Sequence, residues 1–84
     1  AGPVDAIYKT IDSLIGETID LKDYIVHAVT GGTDALGEVT VRIKDGSRIF
    51  TGRGASIDVL VSSAKAYIMA VNKLLNYRKR KEQQ

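Results

Sequence analysis

Three features of the 84-residue chain predict an α+β fold in the order α-β-β-β-α. Apolar residues recur at helical spacing near both ends, β-rich segments fill the middle, and Asp45-Gly46 is a hairpin turn signal. The expected architecture is a three-stranded antiparallel sheet with two helices on one face.

The first helix is expected over residues 3–15. Pro3 suits a first helical position, and Asp5 complements the positive helix end. Val4, Ile7, Tyr8, Ile11, Leu14 and Ile15 follow the spacing of one buried face, and Gly16 suits a left-handed stop. A chain that opens on a helix cap reads as a piece of something longer. Strands are expected at Leu21–Thr30, Ala35–Lys44 and Ser47–Gly52. In the second, Val39, Val41 and Ile43 alternate with Glu38, Thr40, Arg42 and Lys44. A two-residue Asp45-Gly46 turn sets Phe50 opposite Val41 and Gly52 opposite Val39; a bulged three-residue turn shifts that pairing by one. The second helix begins near Ser56 or Asp58, both competent N-caps, and runs to about Arg78. Its main stripe reads Leu60, Ala64, Tyr67, Ile68, Val71, Leu74 and Leu75. Val61, Met69 and Ala70 widen that stripe beyond what one small sheet covers, so part of this helix is expected to seek a partner.

Composition removes several function classes. The apolar fraction of 44% and charged fraction of 26% are ordinary for a globular chain. No apolar run approaches the ~20 residues of a membrane span. The absence of cysteine excludes a disulfide scaffold, a thiol nucleophile and a thiolate zinc site, and fits a reducing, cytoplasmic setting. A single histidine, His27, excludes a multi-histidine metal site and reads as a half-exposed strand residue. Asp20 and Asp23 have no converging carboxylate pair, and no GxSxG, HExxH or Walker sequence occurs. No catalytic residue, metal site or cofactor is therefore expected in this segment.

Two glycine-rich loops stand out. One is Thr30–Gly37. The other, Gly52-Arg53-Gly54-Ala55-Ser56-Ile57-Asp58, delivers the chain onto the second helix, where free N–H groups favour an anionic group. The same residues also read as a plain strand-to-helix turn capped by Ser56. The basic run Arg78-Lys79-Arg80-Lys81, within a tail at 77–84, complements the helix dipole. The element order is also that of double-stranded-RNA-binding domains, but the second helix starts Ile57-Asp58-Val59-Leu60-Val61, acidic and apolar where such domains carry lysines. With a net charge of only +2, no nucleic-acid partner is expected. Pro3-Val4-Asp5-Ala6-Ile7 and Ser56-Ile57-Asp58-Val59-Leu60 share the pattern small, apolar, Asp, apolar, apolar, which suggests an internal repeat.

Gly2-Pro3-Val4-Asp5-Ala6-Ile7-Tyr8, Asp23-Tyr24, Thr33-Asp34-Ala35-Leu36-Gly37-Glu38-Val39, the second glycine loop and Ser62-Ser63-Ala64-Lys65-Ala66-Tyr67 together resemble the C-terminal regulatory domain of the 2-isopropylmalate synthase and citramalate synthase family. The resemblance covers residues 2 to about 76 and leaves out the basic tail. It implies a non-catalytic, partial regulatory domain over residues 1–84, the second half of a pseudo-twofold βββα duplication. It also implies a homodimer, formed through the sheet edge and apolar helix faces, joined to a catalytic barrel that uses acetyl-CoA. The implied effector is the end product leucine, or isoleucine in a citramalate synthase. Its implied contacts are Asp34, Ala35, Gly54, Ala55, Ser56, Ile57, Asp58, Ser62 and Ser63. Backbone N–H groups around Ser56–Asp58 would receive its carboxylate, and Asp34 or Asp58 its ammonium. A purely structural dimerisation domain is the remaining alternative.

Overall fold

The structure, a computed structural model, describes residues 2–31 and 34–84, without the side chains at 30, 31 and 34. Its elements come in the predicted order: α1 Pro3–Ile15, β1 Asp20–Gly31, β2 Asp34–Asp45, β3 Arg48–Ser56 and α2 Val59–Glu82. The strands form one antiparallel sheet in the order β1-β2-β3. Val39, Val41 and Ile43 of the central strand are fully buried beneath α2, together with Tyr67, Val71 and Leu74.

The first helix has the predicted bounds. Gly16 takes φ 80 at its end and donates its N–H to Asp12 O and Ser13 O at 2.9 and 3.2 Å. Its buried face is narrower than the spacing predicts. Tyr8 is buried, Val4, Ile7, Ile11 and Ile15 are half-buried, and Leu14 is 82% exposed. The reason is that the α1 backbone packs against α2 and approaches no strand closely. It stays on the α2 side of the sheet, where Tyr8 meets Tyr24 of β1.

The third strand runs to Ser56 rather than stopping at Gly52, and the hairpin register is neither of the two expected. Asp45 pairs with Arg48, so the turn is Gly46-Ser47, Phe50 opposes Ile43, Gly52 opposes Val41 and Gly54 opposes Val39. Only Gly46 takes a positive φ here (63°), at the first central position where a II′ turn requires glycine. Asp45 therefore stays in the ladder. The shift from the two-residue expectation is by two residues, which keeps each side chain on its predicted face.

The second helix buries Tyr67, Val71 and Leu74 of the expected stripe but turns the rest of its inner face to small residues. Ser62, Ser63, Ala66, Tyr67, Ala70, Val71 and Leu74 face inward, whereas Leu60 and Ile68 are 37% and 45% exposed. Gly52 and Gly54 explain the choice. A Cβ on Gly52 would stand 1.9 Å from Ala66 O and 2.6 Å from Ala70 N, and one on Gly54 2.4 Å from Ser62 O. The small i, i+4 series Ser62, Ala66, Ala70 thus lets helix backbone rest on strand backbone, and the large apolar residues flank that seam. The helix also continues to Glu82, past the expected Arg78, and the basic run forms its last turns.

Arg78 ties the far end of α2 to two loops. Its Nη1 and Nη2 donate to Glu17 at 2.7 and 3.0 Å, and its Nε donates to Asp45 Oδ2 at 2.9 Å. These bonds hold both carboxyls below their ordinary values of 4.5 and 3.8. A carboxyl with a depressed folded pKa stabilises above its unfolded pKa, and that contribution is lost as pH falls through the folded value. All three side chains are about one-third exposed, so solvent screens the cluster. Arg78→Ala is expected to cost about 0.5–1 kcal/mol at neutral pH and to flatten the loss of stability below about pH 4. Urea unfolding at neutral and acid pH measures both; an unchanged acid limb would contradict the assignment.

Candidate functional site

The strand register brings the two implied effector segments to one end of the sheet. Gly37 pairs with Ser56 and Glu38 with Ala55, so Ala35 at the start of β2 lies near the turn by which the chain leaves β3 for α2. Asp58 caps that helix: its Oδ1 accepts the Leu60 N–H at 2.9 Å, and its own N–H donates to Ser56 Oγ at 3.2 Å. The first intrahelical bond is Ser62 N–H to Asp58 O at 3.0 Å. The N–H groups of Val59 and Val61 have no protein partner among the described residues. Around them lies apolar surface: Ile57 is 74% exposed, and Val59, Leu60 and Val61 are each a little over one-third exposed.

The nine implied residues do not line one cavity. Ala35, Ser56, Ile57 and Asp58 gather at the turn. Ala55 alternates onto the open face of the sheet with Thr51 and Arg53. Gly54 lies under α2, so its bare backbone is a seat for the helix and not an open cradle. The Asp34 side chain falls outside the described residues, as do Gly32 and Thr33 of the first glycine loop.

Ser62 and Ser63 are fully buried, and their hydroxyls are committed. Ser62 Oγ donates to Gly37 O at 2.6 Å, tying α2 to β2. Ser63 Oγ donates to Val59 O at 2.7 Å. Having spent its one proton, it must accept from Tyr24 Oη, 2.6 Å away. Tyr8 Oη donates to Ser63 O at 2.8 Å, and the Tyr8 ring stacks on Tyr67 with centroids 3.9 Å apart. Tyr67 Oη in turn donates to Asp12 Oδ1 at 2.5 Å, while Asp12 Oδ2 accepts the Ile19 N–H at 3.2 Å. Burial is the main cause that raises both Tyr8 and Tyr67 above the ordinary phenol value. The start of α2 is therefore bonded to β1, β2 and α1 at once, and a shift of that start must strain all three. Sequence reasoning missed this cluster, because its partners stand 39 and 55 residues apart and nothing local marks them.

The other candidates stay apart. Asp20 pairs with Lys22 at 3.3 Å, Asp23 with Arg42 at 3.6 Å, and His27 sits opposite Glu38 on the open face. Among the described residues no three His, Asp or Glu side chains gather as a metal site, and no helix is long and apolar enough to cross a membrane. Surface clefts lie elsewhere: one of about 410 Å³ between α1 and α2, beside Ile7, Ile11 and Ile68, and one of about 400 Å³ beside Arg48, Tyr77 and Arg80.

Residues 1–75 match the LeuA allosteric (dimerisation) domain family. The chain is 54% identical over 85 aligned residues to a 2-isopropylmalate synthase of Carboxydothermus hydrogenoformans, covering 99% of the chain and 17% of the relative. It is 53% identical over 75 residues to the 2-isopropylmalate synthase of Nitrosococcus oceani (89% and 15%). It is 54% identical over 77 residues to that of Brevibacillus brevis (92% and 15%). The chain spans about one-sixth of the length of the curated relatives it matches.

Proposed function

The chain belongs to the LeuA allosteric (dimerisation) domain family, and from that premise we propose that it is the regulatory and dimer-forming part of a 2-isopropylmalate synthase that senses leucine. The carbon chemistry, an acetyl-CoA-dependent acyl transfer, belongs on this reading to the rest of the enzyme. The observation that carries the effector reading is the turn itself. Unpartnered N–H groups of α2 stand beside exposed Ile57, Val59 and Leu60, as a small amino acid with a branched apolar side chain requires. The effector carboxylate belongs at the α2 start and its side chain against Ile57. Asp34 or the uncommitted Asp58 Oδ2 meets the ammonium. Ala35 and Ser56 complete this wall, while Ala55 lies outside it on the open face of the sheet. Gly54, Ser62 and Ser63 act from beneath, fixing where the helix begins. A sensed isoleucine, as in citramalate synthase, is the alternative; the names of the relatives favour leucine.

Feedback requires the effector to prefer one arrangement of a domain pair, and a coupling of about 1–3 kcal/mol changes activity 5–150-fold. The link through Ser63 to Tyr24 and Tyr8 supplies a physical connection from the turn to β1 and α1.

Isothermal titration with leucine and isoleucine tests the reading. Leucine is expected to bind more tightly than isoleucine. Ile57→Asp is expected to weaken leucine at least about tenfold, by setting a negative charge beside the effector carboxylate. Because Ile57 is 74% exposed, folding should be unaffected. Leucine affinity that survives Ile57→Asp would place the effector elsewhere.

A further inference from the structure

The cations at the end of α2 are divided between different tasks. Arg78 is committed, with its Nε, Nη1 and Nη2 all donating to Asp45 or Glu17. Tyr77, Arg80, Lys81 and Gln84 stand at i, i+3, i+4 and i+7, so they share one face of the helix. Arg48, the first residue of β3, meets that face. Its Cζ stands 4.2 Å from the centroid of the Tyr77 ring, and Phe50 leans on the same ring with centroids 5.9 Å apart. These five residues, Arg48 to Gln84, line the cleft of about 400 Å³. Arg48, Arg80 and Lys81 pair with no carboxylate among the described residues. Glu82 lines a neighbouring cleft, with Arg78 and Lys81. Favourable contact with the helix dipole accounts for a cation anywhere in the last turns. It does not account for Arg48, which comes from another element and is held by stacking on an aromatic ring. Three like charges gathered in this way repel one another, and an anion between them relieves that repulsion.

We infer that this cleft is a binding site for a small anion carrying two or more adjacent phosphates. Three positive charges outnumber what a single carboxylate or a zwitterion needs. Arg48 supplies a planar fork of donors, placed by the ring beneath it, which suits two phosphate oxygens. Arg80 and Lys81 close on the anion from the helix side, and the Gln84 amide adds a donor. The Tyr77 ring is engaged by Arg48 and Phe50, so it positions the guanidinium rather than stacking on a ligand. Recognition is therefore of the phosphates, whether inorganic or carried by a nucleotide. The site is independent of the effector turn: it lies roughly 30 Å along α2 from Asp58. Its helical residues also lie beyond the stretch 1–75 that matches the family.

Titration of the chain with inorganic pyrophosphate at low salt, followed by NMR shifts, tests this. Shifts are expected at Arg48, Tyr77, Arg80 and Lys81, and not at Ile57, Val59 or Leu60. Inorganic phosphate, with one anionic group, should bind at least about tenfold more weakly. ADP should match pyrophosphate within about threefold, because no base is stacked; a stronger preference for ADP would overturn recognition by the phosphates alone. Arg48→Ala combined with Arg80→Ala should weaken pyrophosphate at least about tenfold. Arg48→Lys keeps the charge but loses the fork, and should weaken it about threefold or more. Lys79→Ala removes the same charge from the far side of the helix, and should change affinity less than about twofold. Arg48, Lys79 and Arg80 are all exposed, so these variants should fold. Equal losses from Lys79→Ala and Arg80→Ala would overturn the site, leaving only diffuse attraction to a basic helix end. Absence of pyrophosphate binding would overturn it too, even if a short RNA duplex bound these same residues. None of these results bears on the leucine titration.

Discussion

Gly52→Ala is expected to be the most damaging small substitution in the chain, costing about 3 kcal/mol or more and abolishing cooperative unfolding under ordinary conditions. The sign is not obvious from the backbone. Gly52 has no positive φ, and alanine in place of such a glycine ordinarily stabilises by about 0.4–1 kcal/mol, because it restricts the unfolded chain. Here the new methyl would stand 1.9 Å from Ala66 O and 2.6 Å from Ala70 N. Both are backbone atoms in the middle of a 24-residue helix, so no side chain can rotate away. The helix must lift off β3 as a body and open the seam above Val41. Overpacking then outweighs the entropic gain several-fold. Gly54→Ala meets Ser62 O at 2.4 Å and should follow the same pattern. Gly2→Ala, with nothing within 4 Å, is the control and should change little. Urea denaturation followed by circular dichroism measures all three. A Gly52→Ala chain within about 0.5 kcal/mol of its parent would refute the close helix–strand seam.

The second large effect belongs to Tyr67. Tyr67→Ala is expected to cost about 3–5 kcal/mol, as for other large aromatic residues emptied from a core. Its side chain is 1% exposed and stacks on Tyr8. Tyr67→Phe keeps the ring and loses only the bond to Asp12. Because Asp12 is half-buried and can rehydrate, the cost should fall to about 1–2 kcal/mol. The same residues predict an alkaline weakness. Burial raises Tyr8 and Tyr67 above the ordinary value of 10.0, so above that pH the unfolded chain releases protons that the folded chain keeps. Stability is full below about pH 10 and is lost as pH rises toward the folded values. Tyr8→Phe combined with Tyr67→Phe should remove most of that slope, at the cost of lower stability at neutral pH. Unfolding curves at neutral pH and above about pH 10 decide it; a parent chain equally stable at both would mean these hydroxyls are not held protonated by the fold.

Much of the fold was legible because its signals are local. The first helix ends where Gly16 permits a left-handed turn, and β2 alternates as Val39, Val41 and Ile43 require. The errors share a cause. Counting apolar residues on α2 found the buried Tyr67, Val71 and Leu74 but also put Leu60 and Ile68 inside, and passed over Ser62 and Ala66, which with Ala70 form the seam. Hydrophobicity ranks large residues first, while Gly52 and Gly54 demand small ones opposite them. The hairpin register was not legible either: Asp45-Gly46 looks like a turn centre, but Gly46 takes the first central position of a II′ turn, so Asp45 pairs with Arg48 in the ladder. The candidate site was legible as segments, through the resemblance, but not as an arrangement. Nothing local says that Ala55 alternates away from Ser56 across the sheet, or that the Ser63 hydroxyl is already spent on Val59 and Tyr24.

By itself the sequence determined the element order, the faces of the central strand, the helix stop at Gly16 and the family of the chain. Each of these depends on residues that are neighbours along the backbone or on motifs read in order. Only the tertiary structure decided which small residues of α2 form the buried seam, which tyrosines bond to Ser63 and which sheet edge α2 reaches over. Those outcomes depend on how closely two backbones approach. That distance is set by opposing residues far apart in the chain, here two glycines under a helix of serine and alanine.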